Sequence, residues 1–474
     1  MKKLFGTDGV RGLANSELSP LVALQLGTTA AHVLIENPCP GSQRSSTPAN
    51  VRGLGRATVL VGRDPRISGD ILESALVAGI CSQGVDALLA GVIPTPGVAY
   101  LTTRTGCAVG VVISASHNPV EDNGIKFFGP DGYKLDDAVE ARIEREIDRF
   151  DSFPKPIGRD VGNIFRKHEL VWEYAYHVKQ TIPMRLDGMS IVIDCANGAA
   201  SELAPRIFYE LGARATCVNS TPTGVNINES CGSLHPEQMA TLVRQTGADA
   251  GISFDGDADR VIMADERGEI VDGDHVMAIY GLHRARNGGL PNNIVVGTVM
   301  SNIGLEMALA KENIRLVRTP VGDRYVSDEM RATGAVVGGE KSGHVILSEH
   351  TTTGDGMITA LQVFAIMLTT GKRLSELASE MEEFPQILEN VRVRRRDGWD
   401  ASPEIAAAIK SAEQKLAGRG RVLVRPSGTE KLIRVMAEGP DRGELEEIVG
   451  EIAAAVRKTL GSADEDDVRR VSKA

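Results

Sequence analysis

The chain has 474 residues, which is enough for three or four compact units at ~100 to 200 residues per domain. Hydrophobic residues make up 42% and charged residues 24%, which is typical of a globular protein and excludes a disordered or fibrous chain. The net charge of −11 and the aromatic content of 4% disfavour a protein that binds nucleic acid or coats an anionic membrane.

The chain shows no targeting segment and no metal-binding cysteine pattern. Its first residues develop no apolar run, and no stretch of ~18 uncharged apolar residues follows, so we expect a cytoplasmic protein. Six cysteines are scattered without a CxxC pair, which predicts reduced, mostly buried thiols and disfavours a zinc site or a disulfide framework. An anionic substrate would need a locally basic pocket.

The first part of the chain predicts alternating strands and helices. The glycine-rich segment 5–12 predicts no regular element, whereas Ser19 caps a predicted helix from Pro20 to about Glu36. Segment 37–56 is rich in Pro, Ser, Gly and Asn, so we expect a flexible surface insertion there. Ser68 is predicted to cap a helix that ends near Gln83, and strands are predicted at 57–61, 85–92 and 109–113.

The pattern of a strand followed by a helix restarts twice, with strands at 190–194, 250–254 and 293–297. Near the C-terminus, 421–425 and 432–438 predict a hairpin, and a helix follows over 445–460. We therefore predict an α/β protein with three related domains of mixed, largely parallel sheets, and a smaller C-terminal α+β domain. The predicted domains are 1–155, 156–253, 254–375 and 376–462, followed by a charged tail at 463–474.

A serine motif, SASHNP, follows the predicted strand 109–113. The hydroxyl of Ser116 at the carboxyl end of a buried parallel strand lies where open α/β sheets place their ligands. Asn118 tolerates unusual backbone angles and Pro119 blocks regular structure, so we expect Ser116 on a rigid exposed loop. Taken alone, the motif fits a capping serine in a polar turn better.

Three carboxylates, Asp255, Asp257 and Asp259, stand at alternate positions after the predicted strand 250–254. Side chains at this spacing lie on one side of an extended or looped segment and can converge on one cation. An EF-hand loop is the competing pattern because Glu266 falls at position twelve. It fails because Arg260 stands where the loop needs Gly and because the flanks predict strands. The segment therefore predicts a hard divalent ion, most simply Mg²⁺, rather than a solvated acidic turn.

Two more polar motifs are candidates for ligand binding. In the first, GEKSGH, Glu340 and Ser342 suit sugar hydroxyls and His344 can move protons, although a lone histidine is more often structural. In the second, RPSGTE at 425–430, two hydroxyls, the N–H groups of a turn and a guanidinium suit a phosphate as well as they suit a plain hairpin turn. Arg11, in the glycine-rich segment, is a further candidate for reaching into a site.

In this order, FGTDGVRG, ISASHNP, DGDADR, GEKSGH and RPSGTE resemble the motifs of the α-D-phosphohexomutase family, from Phe5 to about Gly439. The resemblance implies four domains around a central cleft and the interconversion of glucosamine 6-phosphate and glucosamine 1-phosphate, which leads towards UDP-N-acetylglucosamine and cell wall. A phosphoserine would give its phosphate to the sugar, and the bisphosphate formed would turn over and return its other phosphate. Mg²⁺ and a bisphosphorylated sugar as primer are implied as well.

The resemblance also implies roles for individual residues. Ser116 would be phosphorylated, and one oxygen of that phosphate would share the Mg²⁺ ion with Asp255, Asp257 and Asp259. Glu340 and Ser342 would hold sugar hydroxyls. The phosphate that is not transferred would be held by Arg425, Ser427, Gly428 and Thr429. The reacting phosphate would be surrounded by Arg11, Lys126, Arg260 and His344, with His344 as general acid/base.

Two positions depart from the family pattern. Lys341 stands where the amino-sugar branch usually has Gln and alters the charge beside the sugar, and Lys431 replaces a usual Pro and changes only a turn. Gly428 and the stretch 353–356 favour the amino-sugar branch. Neutral hexose phosphates are the alternative substrates, and a non-catalytic sugar-phosphate sensor is disfavoured by the intact Ser116. A homodimer is one expectation for the oligomeric state.

Overall fold

The computed structural model describes residues 4–6, 8–36, 56–427 and 431–461. The described residues do not include the predicted insertion (apart from Arg56), the predicted tail, Gly428 or Thr429. Contacts divide the chain into a first unit, Met1–Thr298 with Glu312–Glu380, and a second unit, Val299–Lys311 with Met381–Ala474. The first unit contains three sheets and the second contains one.

The first sheet has six strands, β1 (Val10–Leu13), β2 (Thr58–Arg63), β3 (Asp86–Val92), β4 (Val109–Ile113), β5 (Asp122–Phe128) and β6 (Ile164–Arg166). Its helices are α1 (Pro20–Glu36), α2 (Gly69–Ser82), α3 (Thr95–Thr105), α4 (Asp137–Glu146) and α5 (Leu170–Gln180). The strand order is β1-β5-β4-β2-β3-β6, and β2 pairs in parallel with β3 and β4. The serine motif therefore leaves the sheet at the carboxyl end of a fully buried parallel strand, as predicted.

The prediction of no regular element over 5–12 is wrong for its last residues. β1 pairs antiparallel with β5, with Arg11 opposite Gly124. A Cβ atom on Gly124 would lie 2.5 Å from the carbonyl oxygen of Ser114, so only glycine fits there. The pairing partner, which the local composition does not indicate, makes this segment a strand.

The predicted caps of the first two helices have different outcomes. The N–H of Val22 donates to Ser19 Oγ at 3.3 Å, so Ser19 caps α1 as predicted. Ser68 precedes α2, but its side chain makes no capping bond, and Oγ accepts from Asn123 Nδ2 instead. The predicted cap at Ser68 is wrong because a neighbouring strand supplies a competing donor.

The second sheet contains β7 (Ser190–Asp194), β8 (Arg214–Val218), β9 (Ala250–Phe254), β10 (Val261–Ala264) and β11 (Ile270–Val271), in the order β11-β10-β9-β7-β8. The helices α6 (Leu203–Glu210) and α7 (Glu237–Thr246) accompany it. β7 is parallel to β8 and β9, and β9 is antiparallel to β10. The acidic segment 255–260 therefore joins two adjacent strands of one sheet. The domain boundaries stay predictions.

The third sheet contains β12 (Ile294–Thr298), β13 (Arg315–Thr319), β14 (Val337–Gly339) and β15 (Val345–Leu347), in the order β13-β12-β14-β15. The helices of the first unit in this part of the chain are α8 (Gly273–Arg286), α10 (Asp323–Thr333), α11 (Gly356–Thr370) and α12 (Leu374–Ala378), whereas α9 (Ile303–Ala310) is part of the second unit. β12 is parallel to β13 and β14, whereas β14 and β15 are antiparallel. The turn between β14 and β15 holds Glu340, Ser342 and His344.

The second unit has an antiparallel sheet of β16 (Gln386–Arg392), β17 (Arg421–Pro426) and β18 (Leu432–Glu438), in the order β16-β18-β17. With it come α13 (Pro403–Leu416) and α14 (Arg442–Leu460). Apolar residues of the strands and of α14 form its core, among them Val391, Ile433, Val435 and Ile448. The predicted hairpin and final helix are confirmed, and the predicted fold class is confirmed with them.

Short 3-10 helices lie at Ile147–Ser152, Gly158–Asp160, Gly232–Leu234 and Pro291–Asn293. Over the ranges that the structure covers, none of the helices combines the length and apolar character that a membrane crossing requires. The five cysteines in those ranges are free, and all except Cys217 are buried, as predicted; Cys39 is not among the described residues.

Candidate active site

Ser116 is buried, with only 1% of its surface exposed, and the prediction of an exposed loop is wrong. Its backbone has a φ of 53°, in the left-handed region. Oγ donates a hydrogen bond to Asp255 Oδ2 at 2.6 Å. The loop is covered because it packs on the acidic segment, where a Cβ atom on Gly256 would lie 2.6 Å from the carbonyl oxygen of Ser116.

The three predicted metal ligands converge. Asp255, Asp257 and Asp259 are buried, and one carboxylate oxygen from each lies within 4.8 Å of the other two. Oδ1 of Asp257 and Oδ1 of Asp259 are buried and have no hydrogen-bond partner among the described residues. Buried carboxylate oxygens without donors are costly, so the donor set fits a hard divalent cation that binds oxygen.

The charges of the acidic triad are unevenly balanced. Burial raises the pKa of Asp255 well above its usual value, and the nearby Asp259 and Asp257 raise it further. Burial also opposes ionisation of Asp259, but His344 and Lys126 outweigh it and lower the pKa of Asp259. Asp255, which holds the serine hydroxyl, is therefore the carboxylate that most lacks positive charge. A bound cation would supply that charge.

Backbone N–H groups from one turn and from the first residues of α3 and α11 fix the acidic segment. Ala199 donates to the carbonyl of Gly256 at 2.8 Å, Thr95 donates to that of Asp257 at 3.0 Å, and Gly356 donates to that of Ala258 at 3.0 Å. The Thr95 hydroxyl also donates to Asp257 Oδ2 at 2.6 Å. Thr95 therefore orients a candidate metal ligand. The sequence analysis missed it because a Thr-Pro pair before a helix indicates only a helix start.

Lys126 lies among carboxylates, with Nζ 3.1 Å from Asp257 Oδ2 and 3.1 Å from Asp8 Oδ2. Burial alone would lower its pKa, but these two carboxylates raise it, so Lys126 is a fixed positive charge. Asp8 also pairs with Arg11 and Lys134. Burial opposes ionisation of Asp8, and the three cations hold its pKa well below the usual range. Asp8, which was not predicted, holds two predicted residues, Arg11 and Lys126, in one cluster.

His344 is 2% exposed and lies between two carboxylates. Nδ1 is 3.5 Å from Asp259 Oδ2, and Nε2 is 3.9 Å from Asp323 Oδ2. Burial alone would lower the pKa of His344, but these carboxylates raise it to about 9. The N–H of Gly354 points at Nε2 at 3.1 Å, a contact that only the neutral ring accepts. These opposing influences suit a group that gains and loses a proton during a reaction.

The turn between β14 and β15 presents a carboxylate and a hydroxyl. Glu340 Oε1 accepts from the N–H of Gly322 at 3.0 Å, and Glu340 Oε2 accepts from Ser342 Oγ at 3.2 Å. Lys341, between them, has Nζ 3.7 Å from Asp272 Oδ2. The lysine charge is thus partly balanced by the carboxylate of Asp272, which caps α8.

We expect Lys341→Gln to change the KM for a sugar phosphate less than about fivefold, because Lys341 is paired with Asp272 and a partly exposed ion pair of this kind contributes about 0 to 1 kcal/mol. The measurement is steady-state kinetics of both proteins at one salt concentration. A large change in KM would mean that Lys341 contacts the sugar instead of resting on Asp272.

A cavity of about 460 Å³ in the first unit joins these groups, which is a volume typical of small-molecule sites. Its lining includes six predicted site residues, Arg11, Ser116, Asp259, Arg260, Glu340 and His344. Asp8 and Asp323 line it too, and neither was predicted. His117, next to the serine, contacts Ser116 Oγ at 3.3 Å, and burial together with Arg260 and Arg11 lowers its pKa to about 4.

Arg425 and Ser427 lie in the second unit, at the end of β17. Arg425 stands opposite Arg434 in the β17–β18 ladder, and burial together with this second guanidinium lowers the pKa of Arg425. The Ser427 carbonyl accepts from Arg396 Nη1. Three arginines around one turn fit an anion. The sequence analysis missed Arg396 and Arg434 because both lie outside the RPSGTE motif.

Four domain models of the phosphoglucomutase/phosphomannomutase family match the chain. Alpha/beta/alpha domain I matches residues 2–153, domain II 172–268, domain III 272–384, and the C-terminal domain 388–455. The second of these matches contains the acidic triad, and the fourth contains Arg425 and Ser427.

Similar proteins agree with these matches. The phosphoglucosamine mutase of Moorella thermoacetica is 54% identical over 451 residues, which cover 95% of this chain and 98% of that protein. The phosphoglucosamine mutase of Carboxydothermus hydrogenoformans is 51% identical over 459 residues, which cover 97% of this chain and 100% of that protein.

Solved structures share the fold. A phosphoglucomutase/phosphomannomutase family protein of Burkholderia thailandensis has a TM-score of 0.78 at 21% identity, covering 98% of this chain and 99% of that chain. The N-acetylphosphoglucosamine mutase of Aspergillus fumigatus, solved with GlcNAc-6P and magnesium, has a TM-score of 0.64 at 19% identity, covering 97% and 96%. The resemblance carried by the five motifs is confirmed, and the chain belongs to the phosphoglucomutase/phosphomannomutase family.

Proposed function

We propose that this chain interconverts glucosamine 6-phosphate and glucosamine 1-phosphate through a phosphorylated Ser116. One observation supports this most directly. Ser116 Oγ lies 2.6 Å from Asp255 within a buried acidic triad, at the wall of a cavity of about 460 Å³. A sensor that only binds sugar phosphates would have no use for a hydroxyl held beside three buried carboxylates.

In the forward direction the phosphorus–oxygen bond at Ser116 Oγ breaks and a new bond forms to a sugar hydroxyl. His344 in its neutral form accepts the proton of that hydroxyl, and the same proton is then given to Ser116 Oγ as it leaves the phosphorus, so the step conserves protons. Lys126, Arg260 and Arg11 supply fixed positive charge around the transferring group, which is the main contribution a protein makes to phosphoryl transfer. The return step rephosphorylates Ser116 from the other end of the sugar.

A divalent cation, most simply Mg²⁺, would be held by Asp255, Asp257 and Asp259 and by an oxygen of the serine phosphate. When bound, it would neutralise charge on the transferring phosphate. Support comes from the two carboxylate oxygens, on Asp257 and Asp259, that have no hydrogen-bond partner in the part of the chain that the structure describes. Priming by a bisphosphorylated sugar follows from the same scheme, because an unphosphorylated Ser116 has no phosphate to give.

The second unit would hold the phosphate that is not transferred. Arg425 and Ser427, with Gly428 and Thr429 of the same motif, are the residues we assign to it. Arg434 and Arg396 add positive charge beside them. Glu340 and Ser342 would bind sugar hydroxyls, since both offer acceptors at the cavity turn.

The amino sugar is the favoured substrate because relatives at 54% and 51% identity carry the name phosphoglucosamine mutase over nearly the whole chain. Mannose and glucose phosphates are the second candidates, since the family descriptions name phosphoglucomutase and phosphomannomutase. A homodimer and a cytoplasmic location stay predictions, and the net charge of −11 fits a small-molecule substrate better than nucleic acid.

We expect turnover of glucosamine 6-phosphate to exceed that of mannose 1-phosphate and glucose 1-phosphate by about 100-fold or more in kcat/KM. A site built to pair a polar substituent discriminates strongly against an analogue that leaves its groups unpaired. The measurement is a three-substrate panel, each primed with its matching bisphosphate. A preference for either neutral sugar would contradict the substrate assignment while leaving the phosphoserine chemistry in place.

A further inference from the structure

A fully buried arginine outside the cavity lining holds the serine loop. Arg66 is 0% exposed, and its Nε donates to Asp64 Oδ2 at 2.9 Å, so its charge is balanced within the loop that follows β2. Its Nη1 and Nη2 groups donate to three backbone carbonyls of the serine loop (residues 114–121), those of Ser116, Asn118 and Pro119, and to that of Asp122 at the start of β5. Buried charges persist only where they are paired and hydrogen-bonded, so this geometry is closely constrained.

The Asp64–Arg66 ion pair is also linked to the backbone N–H of Ser116. The N–H of Ser116 donates to Ser114 Oγ at 2.9 Å, and Ser114 Oγ donates to Asp64 Oδ2 at 2.7 Å. Arg66 Nη2 donates to the Ser116 carbonyl at 3.0 Å. Both backbone polar groups of Ser116 are therefore bonded, directly or through one hydroxyl, to the Asp64–Arg66 pair.

A second donor comes from another part of the first unit. Asn228 lies between β8 and β9, and its Nδ2 donates to the Ser116 carbonyl at 2.8 Å and to the Asn118 carbonyl at 3.0 Å. Arg66 Nη2 donates to the same two carbonyls. The left-handed backbone of Ser116 is unfavourable for a residue with a side chain, and these shared donors stabilise it.

We propose that Arg66 and Asn228 are positioning residues for phosphoryl transfer. They hold the Ser116 backbone so that Oγ stays directed at Asp255 and does not turn towards solvent. The inference rests on the proposed function, because it assigns these residues to the transfer step at Ser116. Misplacing a reacting group by about 1 Å costs a reaction on the order of 100-fold in rate. Neither residue lines the cavity, so we expect losses in kcat with little change in KM.

The sharpest test compares two asparagines with the same backbone φ. Asn228 and Asn292 both have a φ of 57°, and both donate from Nδ2 to backbone carbonyls. Asn292 is exposed and precedes β12, away from the cavity lining. Glycine accepts this φ, so Asn228→Gly and Asn292→Gly remove a side chain without straining the backbone. We expect Asn228→Gly to lower kcat about 10-fold, as loss of its hydrogen bonds suggests, with KM unchanged.

The second readout is the transfer step itself. Wild type and variants are primed with a glucosamine bisphosphate and mixed with glucosamine 6-phosphate, and intact mass follows loss of the phosphate from the enzyme. We expect Asn228→Gly to slow this single turnover as much as it slows kcat. Equal kcat values for Asn228→Gly and Asn292→Gly would overturn the proposal. A fall in kcat that is explained by a lower melting temperature of the variant would overturn it too.

Arg66→Lys extends the test because a lysine keeps the charge beside Asp64 but cannot donate to four carbonyls at once. We expect a loss of about 100-fold in kcat with unchanged half-saturation by Mg²⁺. If this variant does not fold, the comparison of Asn228→Gly with Asn292→Gly still tests the proposal. A wild-type protein that turns over no hexose phosphate would overturn the proposed function instead, so the two failures are distinguishable.

Discussion

Ser116→Ala should abolish turnover, with kcat falling about 10⁴-fold or more. The reaction as proposed passes every phosphate through this one oxygen, and losing a covalent nucleophile leaves only the rate that binding and electrostatics support. Alanine tolerates the φ of 53° no worse than serine, so the backbone should be retained. The hydroxyl donates to Asp255 and lies 3.3 Å from His117 Nδ1, and each hydrogen bond lost costs about 1 kcal/mol.

The control separates chemistry from folding. Ser74→Ala removes an exposed hydroxyl on α2 that bonds to its own helix at the Asp70 carbonyl, and we expect full activity. Intact mass after incubation with a bisphosphorylated sugar should show one added phosphate on wild type and on Ser74→Ala, and none on Ser116→Ala. Residual turnover by Ser116→Ala, or a phosphate still gained by it, would remove Ser116 from the mechanism.

Local pattern predicted the strand before the serine but not the environment of the serine. Val109–Ile113 is a run of apolar residues and Gly, which is typical of a buried parallel strand. The burial of Ser116, however, depends on Asp255, which is 139 residues away in the chain. A turn rich in polar residues indicates exposure unless the segment that covers it is known. The same limit applies to Asn228, whose side chain bonds to the serine loop from the irregular segment after β8.

The acidic triad was predictable because its members lie at alternate positions of one short segment. Asp8 was not, because its partners, Lys126 and Lys134, come from β5 and from the loop after it. β16 was missed for a different reason. Its residues are mostly polar, and of its seven positions only Val391 is buried, so the strand shows little hydrophobic alternation. Its pairing with β18 along the full strand defines it instead.

Asp257→Asn should weaken Mg²⁺ binding by about 100-fold or more. We expect kcat at a fixed Mg²⁺ concentration to fall together with the Mg²⁺ affinity. Asp257 is 0% exposed, its Oδ2 is occupied by Thr95 and Lys126, and its Oδ1 lacks a hydrogen-bond partner among the described residues. Asparagine has the same shape but lacks the charge that a hard divalent cation requires. Direct titration of the purified protein with Mg²⁺ by calorimetry, alongside Mg²⁺-dependent kinetics, measures both effects.

Asp265→Asn is the matched control, since Asp265 is 4% exposed, follows β10 of the same sheet, and its Oδ1 accepts from the N–H groups of Arg267 and Glu269. Asparagine Oδ1 can accept those bonds, so its Mg²⁺ affinity should equal that of wild type. Neutralising Asp257 also removes a partner of Lys126, which retains Asp8. The free energy of unfolding should therefore fall by less than the free energy of Mg²⁺ binding. Unchanged Mg²⁺ binding in Asp257→Asn would contradict the metal assignment. It would mean that Lys126, Arg260 and His344 balance the charges of the triad without a bound cation.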